Sequence, residues 1–357
     1  MCAFDSLHVD HVGFSVGDLA AATEEFTGRY GFTVHSRSVD SAGGGARTVA
    51  LGTRNIRFVL TEAKNLDHAT AAYVERHGDG VSDIAFSTPD AAAAYTEAVR
   101  RGARPVAAPV ERDGVVTASI AAFGDVVHTF VGRPSPAEPW SLPGLRPAPA
   151  SGCADTGTGL DRVDHFAVCL EAGHLKTAVE FYETVLDFEM VFTERIIVGG
   201  QAMDSMVVQS RSGGVTLTLI EPDESLAAGQ IDQFLKDHGG AGVQHIAFAT
   251  DDIVRDVGRL GDRGVAFLDT PGTYYDLVPQ RLELRRHGLD DLRRLNILAD
   301  QDQDGQLLQI FTRSTHPRGT LFFEVIERLG ARTFGSGNIK ALYSAVELQQ
   351  AKDAEQK

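Results

Sequence analysis

A strand-like phrase recurs four times in this 357-residue chain, and only three of its copies carry a histidine. The copies read Val9-Asp10-His11-Val12-Gly13-Phe14, Val81-Ser82-Asp83-Ile84-Ala85-Phe86, Val163-Asp164-His165-Phe166-Ala167-Val168 and Val243-Gln244-His245-Ile246-Ala247-Phe248. They return roughly every 80 residues, too far apart for a solenoid and right for a small module duplicated twice. After each copy comes a helix-like stretch, namely Asp18 to Tyr30, Asp90 to Arg101, His174 to Leu186 and Asp252 to Arg263. Gly31, Gly102, Asp187 or Gly264 then opens another apolar run, and the flanking segments alternate as strands do. The unit this predicts is β-α-β-β-β. The expected fold class is α+β, four βαβββ modules paired into two half-open barrel domains.

Chain length and a 43% hydrophobic content suffice for two cores. The Pro-, Gly- and Ser-rich stretch from Gly132 to Gly152 reads as the connection between them. The expected division is therefore a first domain over 7–133, a linker over 134–160 and a second domain over 161–318. Residues 319–357 complete that second domain with a last strand and a closing helix. A net charge of −16 without a Lys/Arg cluster argues against nucleic-acid or anionic-membrane binding. No apolar run reaches spanning length, and the N-terminus lacks a signal-peptide pattern. Cys2, Cys153 and Cys169 show no metal or disulfide spacing, so a reducing cytoplasm is the expected compartment.

Alternate residues of a strand share a face, which puts Val163, His165 and Ala167 together, and likewise Val243, His245 and Ala247. Two such modules curled into one half-barrel aim both imidazoles at the same interior. A third ligand is sought in Leu321-Phe322-Phe323-Glu324-Val325-Ile326-Glu327-Arg328. Glu324 shares its face with Phe322 and Ile326, where a carboxylate is costly unless a cation compensates it. Glu327 is assigned instead to an ion pair with its neighbour Arg328. Two His and one carboxylate on one side of a metal is the arrangement of non-haem Fe(II) oxygenases. The plainer alternatives are satisfied core histidines and an edge-strand glutamate. In the first half His11 and Asp83 stand at the same slots. There, Gly124 to Phe130 is read as the equivalent of the strand before the glutamate, ending at Arg133 with no counterpart of Phe-Phe-Glu, so that half is expected to keep the fold without the metal.

These residues resemble the 4-hydroxyphenylpyruvate dioxygenase family of the vicinal oxygen chelate superfamily. The resemblance rests on Val163-Asp164-His165, the run from Gly240 to Ala247, Leu307 to Thr312, Phe322 to Arg328, and Phe334-Gly335-Ser336-Gly337-Asn338. It implies an Fe2+ enzyme that takes 4-hydroxyphenylpyruvate through its keto and carboxylate oxygens and leaves a last position for O2. Carried over position by position, His165, His245 and Glu324 match the iron ligands. Ser205, Gln230, Gln244, Gln309 and Asn338 match polar residues around the substrate, and Phe311, Phe322 and Phe334 match its aromatic walls. Gln309 and Phe311, two apart on one strand, face the same side. The Gly-rich run leading into Lys340 to Val346 reads as a hinge and a terminal lid helix.

Three positions depart from the dioxygenase pattern. Ile339 stands where that family has a Phe after the lid Asn, and Thr218 and Ile220 stand where it has a Pro and an Asn. The exchanges are similar to those of the sister family, the 4-hydroxymandelate synthases, which share the substrate and hydroxylate its benzylic carbon rather than its ring. Gln309, Phe311 and Ile339 are accordingly expected at the catalytic positions, with Thr218 and Ile220 among the substrate contacts. A homodimer is expected. The rival readings at this point are homogentisate formation by a dioxygenase, a ring-cleaving or glyoxalase-like enzyme built from the same modules, and a metal-free binding protein.

Overall fold

The computed structural model describes residues 3–38, 45–134, 140, 142–148, 157–335 and 337–338. The first half contains β1 (His8–Ser15), α1 (Leu19–Glu24), β2 (Thr33–Ser38), β3 (Ala46–Thr53), β4 (Ile56–Ala63), α2 (Ala69–His77), β5 (Gly80–Ser87), α3 (Ala91–Arg100), β6 (Pro105–Arg112), β7 (Val115–Ala121), β8 (Val127–Gly132) and β9 (Leu145–Pro147). The second contains β10 (Leu160–Cys169), α4 (Leu175–Leu186), β11 (Glu189–Val198), β12 (Gln201–Gln209), β13 (Thr216–Pro222), α5 (Gln230–His238), β14 (Gly242–Thr250) and α6 (Ile253–Asp262). It ends with α7 (Gly272–Arg281), α8 (Leu289–Arg294), β15 (Leu298–Gln301), β16 (Gln306–Phe311) and β17 (Phe322–Leu329).

The four helices expected after the repeated phrases all form, three of them behind aspartate caps. Asp18 accepts from the N–H groups of Ala20 and Ala21, Asp90 from Ala93 and Asp252 from Arg255, which satisfies first-turn donors that have no partner within the helix. The α4 helix lacks a cap of its own, and Glu221 of β13 accepts from the Leu175 N–H instead. Asp187 closes α4 in the left-handed region (φ 55°), a conformation that Asp tolerates. The first helix runs on from α1 as a π-helical turn over Glu25–Arg29.

Strand order is β6-β7-β8-β5-β1-β4-β3-β2-β9 in one sheet and β11-β12-β13-β10-β14-β17-β16-β15 in the other, both curled into half-barrels. Each sheet is centred on an antiparallel pair formed by two copies of the repeated phrase. The registers coincide: His11 faces Ala85 and Gly13 faces Asp83, while His165 faces Ala247 and Ala167 faces His245. Each central strand pairs in parallel with the last strand of its own module, as in β5–β8 and β14–β17. Residues 246, 248, 323 and 325 point away from the second barrel and into the shared core. Phe248 and Phe323 stack on each other at 5.3 Å and meet Phe58 at 6.0 Å and Phe26 at 5.8 Å, respectively, so the first half buttresses the back of the second sheet.

Several expectations change. Among the described residues of the expected linker, β9 pairs with β2 at the edge of the first sheet and Trp140 packs against His11. The fourth module carries an insertion, α7 and α8, between α6 and β15. Glu327 does not pair with Arg328. It is 1% exposed, accepts from the Ile253 N–H and the Arg286 guanidinium, and lies 2.8 Å from His287 Nε2. The segment Gly124 to Phe130 does not correspond to the strand before Glu324. Through its pairing with β5, β8 takes the place of β17 itself; the connection over 312–321 is longer than its counterpart over 122–126, which misleads a count along the chain. Ile339 and the helix expected over 340–346 lie outside the described residues.

Candidate metal centre and its cavity

β10 delivers His165, β14 delivers His245 and β17 delivers Glu324 to the concave face of the second sheet. Ligand-type atoms of these three all lie within 4.8 Å of one another, and no other trio of His, Cys, Asp or Glu among the described residues does so. Glu324 Oε2 is 3.4 Å from Nε2 of each imidazole. That is wider than a charge-assisted hydrogen bond, and donors each ~2.1 Å from one ion stand about 3 Å apart at right angles. Glu324 is 2% exposed and His165 3%. A buried carboxylate whose neighbours are two imidazoles on one side and a cavity on the other is a donor set that fits a divalent ion.

The surroundings tune the two histidines differently. Burial depresses His165, but Asp164 on Nδ1 at 2.8 Å and Glu324 on Nε2 outweigh it and raise its pKa to about 9. At His245 burial wins and the pKa falls, because its Nδ1 meets only the Gln244 amide oxygen at 3.3 Å. Glu324 is pushed up by burial and pulled further down by the two imidazoles, ending below the usual carboxylate range. Asp164 is itself held by Arg328, whose Nη2 and Nε donate to its two oxygens at 2.8 and 2.9 Å. This chain of contacts fixes the Nδ1–H tautomer of His165 and turns Nε2 toward the centre.

A cavity of about 240 Å³ opens on the three residues. Of the positions singled out in the sequence, Ser205, Thr218, Ile220, Gln230, Gln244, Gln309, Phe311, Phe322 and Phe334 line it. Phe322 stacks on His245 at 5.0 Å, Phe311 meets the same ring edge-on at 5.7 Å, and Phe334 meets His165 edge-on at 5.1 Å. Two buried polar atoms on this wall, Gln309 Oε1 and Thr218 Oγ1, have no hydrogen-bond partner. Gly335, at φ 76°, lies so close over Gln309 that a Cβ there would overlap its amide, which explains a glycine in this run. Asn338 is not among the residues that line it: it is fully buried, and its Oδ1 accepts from the hydroxyl of Tyr274 on α7 at 2.7 Å.

Sequence reasoning passed over Phe192, Glu194 and Ile196 of β11 and Met203 and Val207 of β12, which also line the cavity. Their period of two was a usable signal, since Ser205 already marked the inward face of β12. A wider cleft of about 960 Å³ between the halves adjoins the cavity, and Phe192 and Phe334 border both.

Comparisons agree with this architecture. The family model described as Glyoxalase/Bleomycin resistance protein/Dioxygenase superfamily matches residues 162–280, and a Glyoxalase-like domain model matches 9–149. A 4-hydroxyphenylpyruvate dioxygenase from Dictyostelium discoideum is 35% identical, with 96% of this chain and 97% of that protein covered. The Neurospora crassa enzyme of the same name is 32% identical over 96% and 91%. Among solved structures, a triple mutant of 4-hydroxymandelate synthase from Streptomyces coelicolor superposes with a TM-score of 0.86 at 43% identity, covering 96% of this chain and 98% of that one. No helix among the described residues is long and apolar enough to cross a membrane. The chain belongs to the family of dioxygenases that comprises the 4-hydroxyphenylpyruvate dioxygenases and 4-hydroxymandelate synthases.

Proposed function

We propose that this chain is a 4-hydroxymandelate synthase, converting 4-hydroxyphenylpyruvate and O2 to 4-hydroxymandelate and CO2 with Fe2+ held by His165, His245 and Glu324. The observation that carries the choice is the β13 wall. Thr218 and Ile220 both line the cavity, and Ile220 lies directly across from Ser205 in the β12–β13 register. In the dioxygenase pattern the position of Ile220 is an Asn, so an aliphatic residue there removes a polar anchor for the substrate and changes where its ring rests. The greater identity to a synthase (43%) than to the two dioxygenases named above (35% and 32%) supports the same reading.

Bound ferrous iron would supply O2 activation, and the α-keto acid, as it loses CO2, would supply the electrons that reduce the first oxygen atom. The protein's own residues supply position. Asp164, through His165, holds one ligand in a single tautomer and orientation. The unpaired Gln309 Oε1 can accept from the substrate's phenol hydroxyl and the unpaired Thr218 hydroxyl can donate to a substrate oxygen, and making those bonds relieves the cost of burying them. Phe311, Phe322 and Phe334 pack around the two histidines, exclude water and confine an aromatic ring. Placement to within about 1 Å decides which carbon is oxidised, and an aliphatic Ile220 takes away a polar anchor for the substrate, so that its benzylic CH2 can be the nearest.

The test supplies Fe2+, O2 and 4-hydroxyphenylpyruvate and separates the products by chromatography, since homogentisate and 4-hydroxymandelate have equal mass. 4-Hydroxymandelate as the main product is expected; homogentisate would assign the chain to the dioxygenases, the second reading that the 35%-identical relative favours.

A further inference from the structure

The first barrel repeats more of the metal centre than its histidine. Asp10 Oδ1 accepts from His11 Nδ1 at 2.7 Å, as Asp164 does from His165 at 2.8 Å. Arg133 donates to both oxygens of Asp10, as Arg328 does to Asp164. The guanidinium of Arg133 lies over the Trp140 ring at 5.7 Å, and Trp140 meets His11 edge-on at 6.0 Å. In the second barrel Arg328 lies over Phe334 at 5.0 Å and Phe334 meets His165 edge-on at 5.1 Å. Trp140 is thus the counterpart of Phe334.

Strand registers identify the remaining positions. Asp83 faces Gly13 and pairs with Val127, just as His245 faces Ala167 and pairs with Phe322. Two residues beyond Phe322 is Glu324, and two beyond Val127 is Thr129. The equivalence extends to the side chains, because the Thr129 hydroxyl donates to Asp83 Oδ2 at 2.7 Å and its N–H donates to Oδ1 at 3.1 Å. An imidazole with its orienting carboxylate and a half-buried aspartate are therefore in place, and a hydroxyl stands where the glutamate should be.

We infer that the first barrel is a divalent-metal site one ligand short, with His11 and Asp83 in two ligand positions and Thr129 in the third. The ion it would take is a first-row divalent cation, for which one imidazole and two carboxylates are suitable donors. The orienting contacts that usually accompany such ligands are already built.

Thr129→Glu tests this with Co2+ as the probe, counted by equilibrium dialysis and visible absorption. The wild-type chain should bind one equivalent, Glu324→Ala none, Thr129→Glu two and the double variant one. Trp140 is the only tryptophan in the chain and sits beside His11, so its fluorescence should fall on Co2+ addition in the two Thr129→Glu proteins and in neither of the others. Asp83→Asn in the Thr129→Glu background should abolish the gain. A folded Thr129→Glu protein that still binds one ion with unchanged Trp140 emission overturns the inference, as does a wild-type chain that binds a second ion at His11. If Thr129→Glu does not fold, Thr129→Asp is read by the same criteria. Metal retained by Glu324→Ala would instead count against the centre in the second barrel, so the two failures are distinct.

Discussion

Replacing Asp164 by Asn keeps the side chain's shape and removes its charge, and two effects should separate. The carboxylate orients His165 through a 2.8 Å contact and is gripped by Arg328 at 2.8 and 2.9 Å. Loss of a contact that orients a metal ligand typically weakens metal binding 10- to 100-fold, about 1.4–2.7 kcal/mol. Arg328 would lose its anionic partner and keep only neutral acceptors, the carbonyls of Ala331 and Thr333 and the amide oxygen of the new Asn. Breaking a fully buried ion pair costs about 3–5 kcal/mol, and with the Arg328 side chain 20% exposed the loss here should be nearer 2 kcal/mol. Anaerobic titration of Fe2+ against a competing chelator reads the first effect, and urea unfolding of the metal-free protein reads the second. Adding Arg328→Met should recover part of the stability and none of the metal affinity. Fe2+ binding within threefold of wild type in Asp164→Asn, or affinity restored in the double variant, would refute the orienting role.

Gln309→Leu should raise KM for 4-hydroxyphenylpyruvate roughly 2- to 10-fold, the worth of one hydrogen bond between neutral groups, with Fe2+ affinity unchanged; an unaltered KM would remove Gln309 from the substrate contacts. Phe248→Ala should cost about 3–5 kcal/mol in urea unfolding, because its fully buried ring joins Phe58 of the first half to Phe323 of the second; a loss under 1 kcal/mol would show that the halves do not depend on this contact. His128 is fully buried between the Ile84 carbonyl and the Tyr182 hydroxyl, and burial pushes its pKa down to about 4. The unfolded chain takes up that proton near pH 6.5, so its contribution is complete above 6.5 and is lost as pH falls toward 4, by about 3 kcal/mol in all. Urea midpoints at pH 7 and 4.5 should therefore lie closer together in His128→Gln than in wild type, and an equal separation would contradict the assignment.

Much of the centre was legible because strand alternation and helix capping are local. The two-residue period of Val163-His165-Ala167 and Phe322-Glu324-Ile326 already aimed three ligand-type residues inward, and Asp18, Asp90 and Asp252 announced three of the helix starts. Glu327 escaped the same reasoning. Its neighbour in sequence, Arg328, was the obvious partner, yet a strand sends adjacent side chains to opposite faces, and the partners came from Arg286 and His287 on the loop between α7 and α8.

By itself the chain's sequence determined the repeated module, the inward slots and the residue types that occupy them, since each follows from periodicity within a few residues. Only the folded molecule decided which last strand lies beside which repeated phrase, and with it that Thr129 stands where Glu324 does. It also decided that Arg328 reaches Asp164 and that Trp140 closes over His11. Those outcomes depend on which distant strands become neighbours. That is set by burying two aromatic faces against each other, and no stretch of a few residues records it.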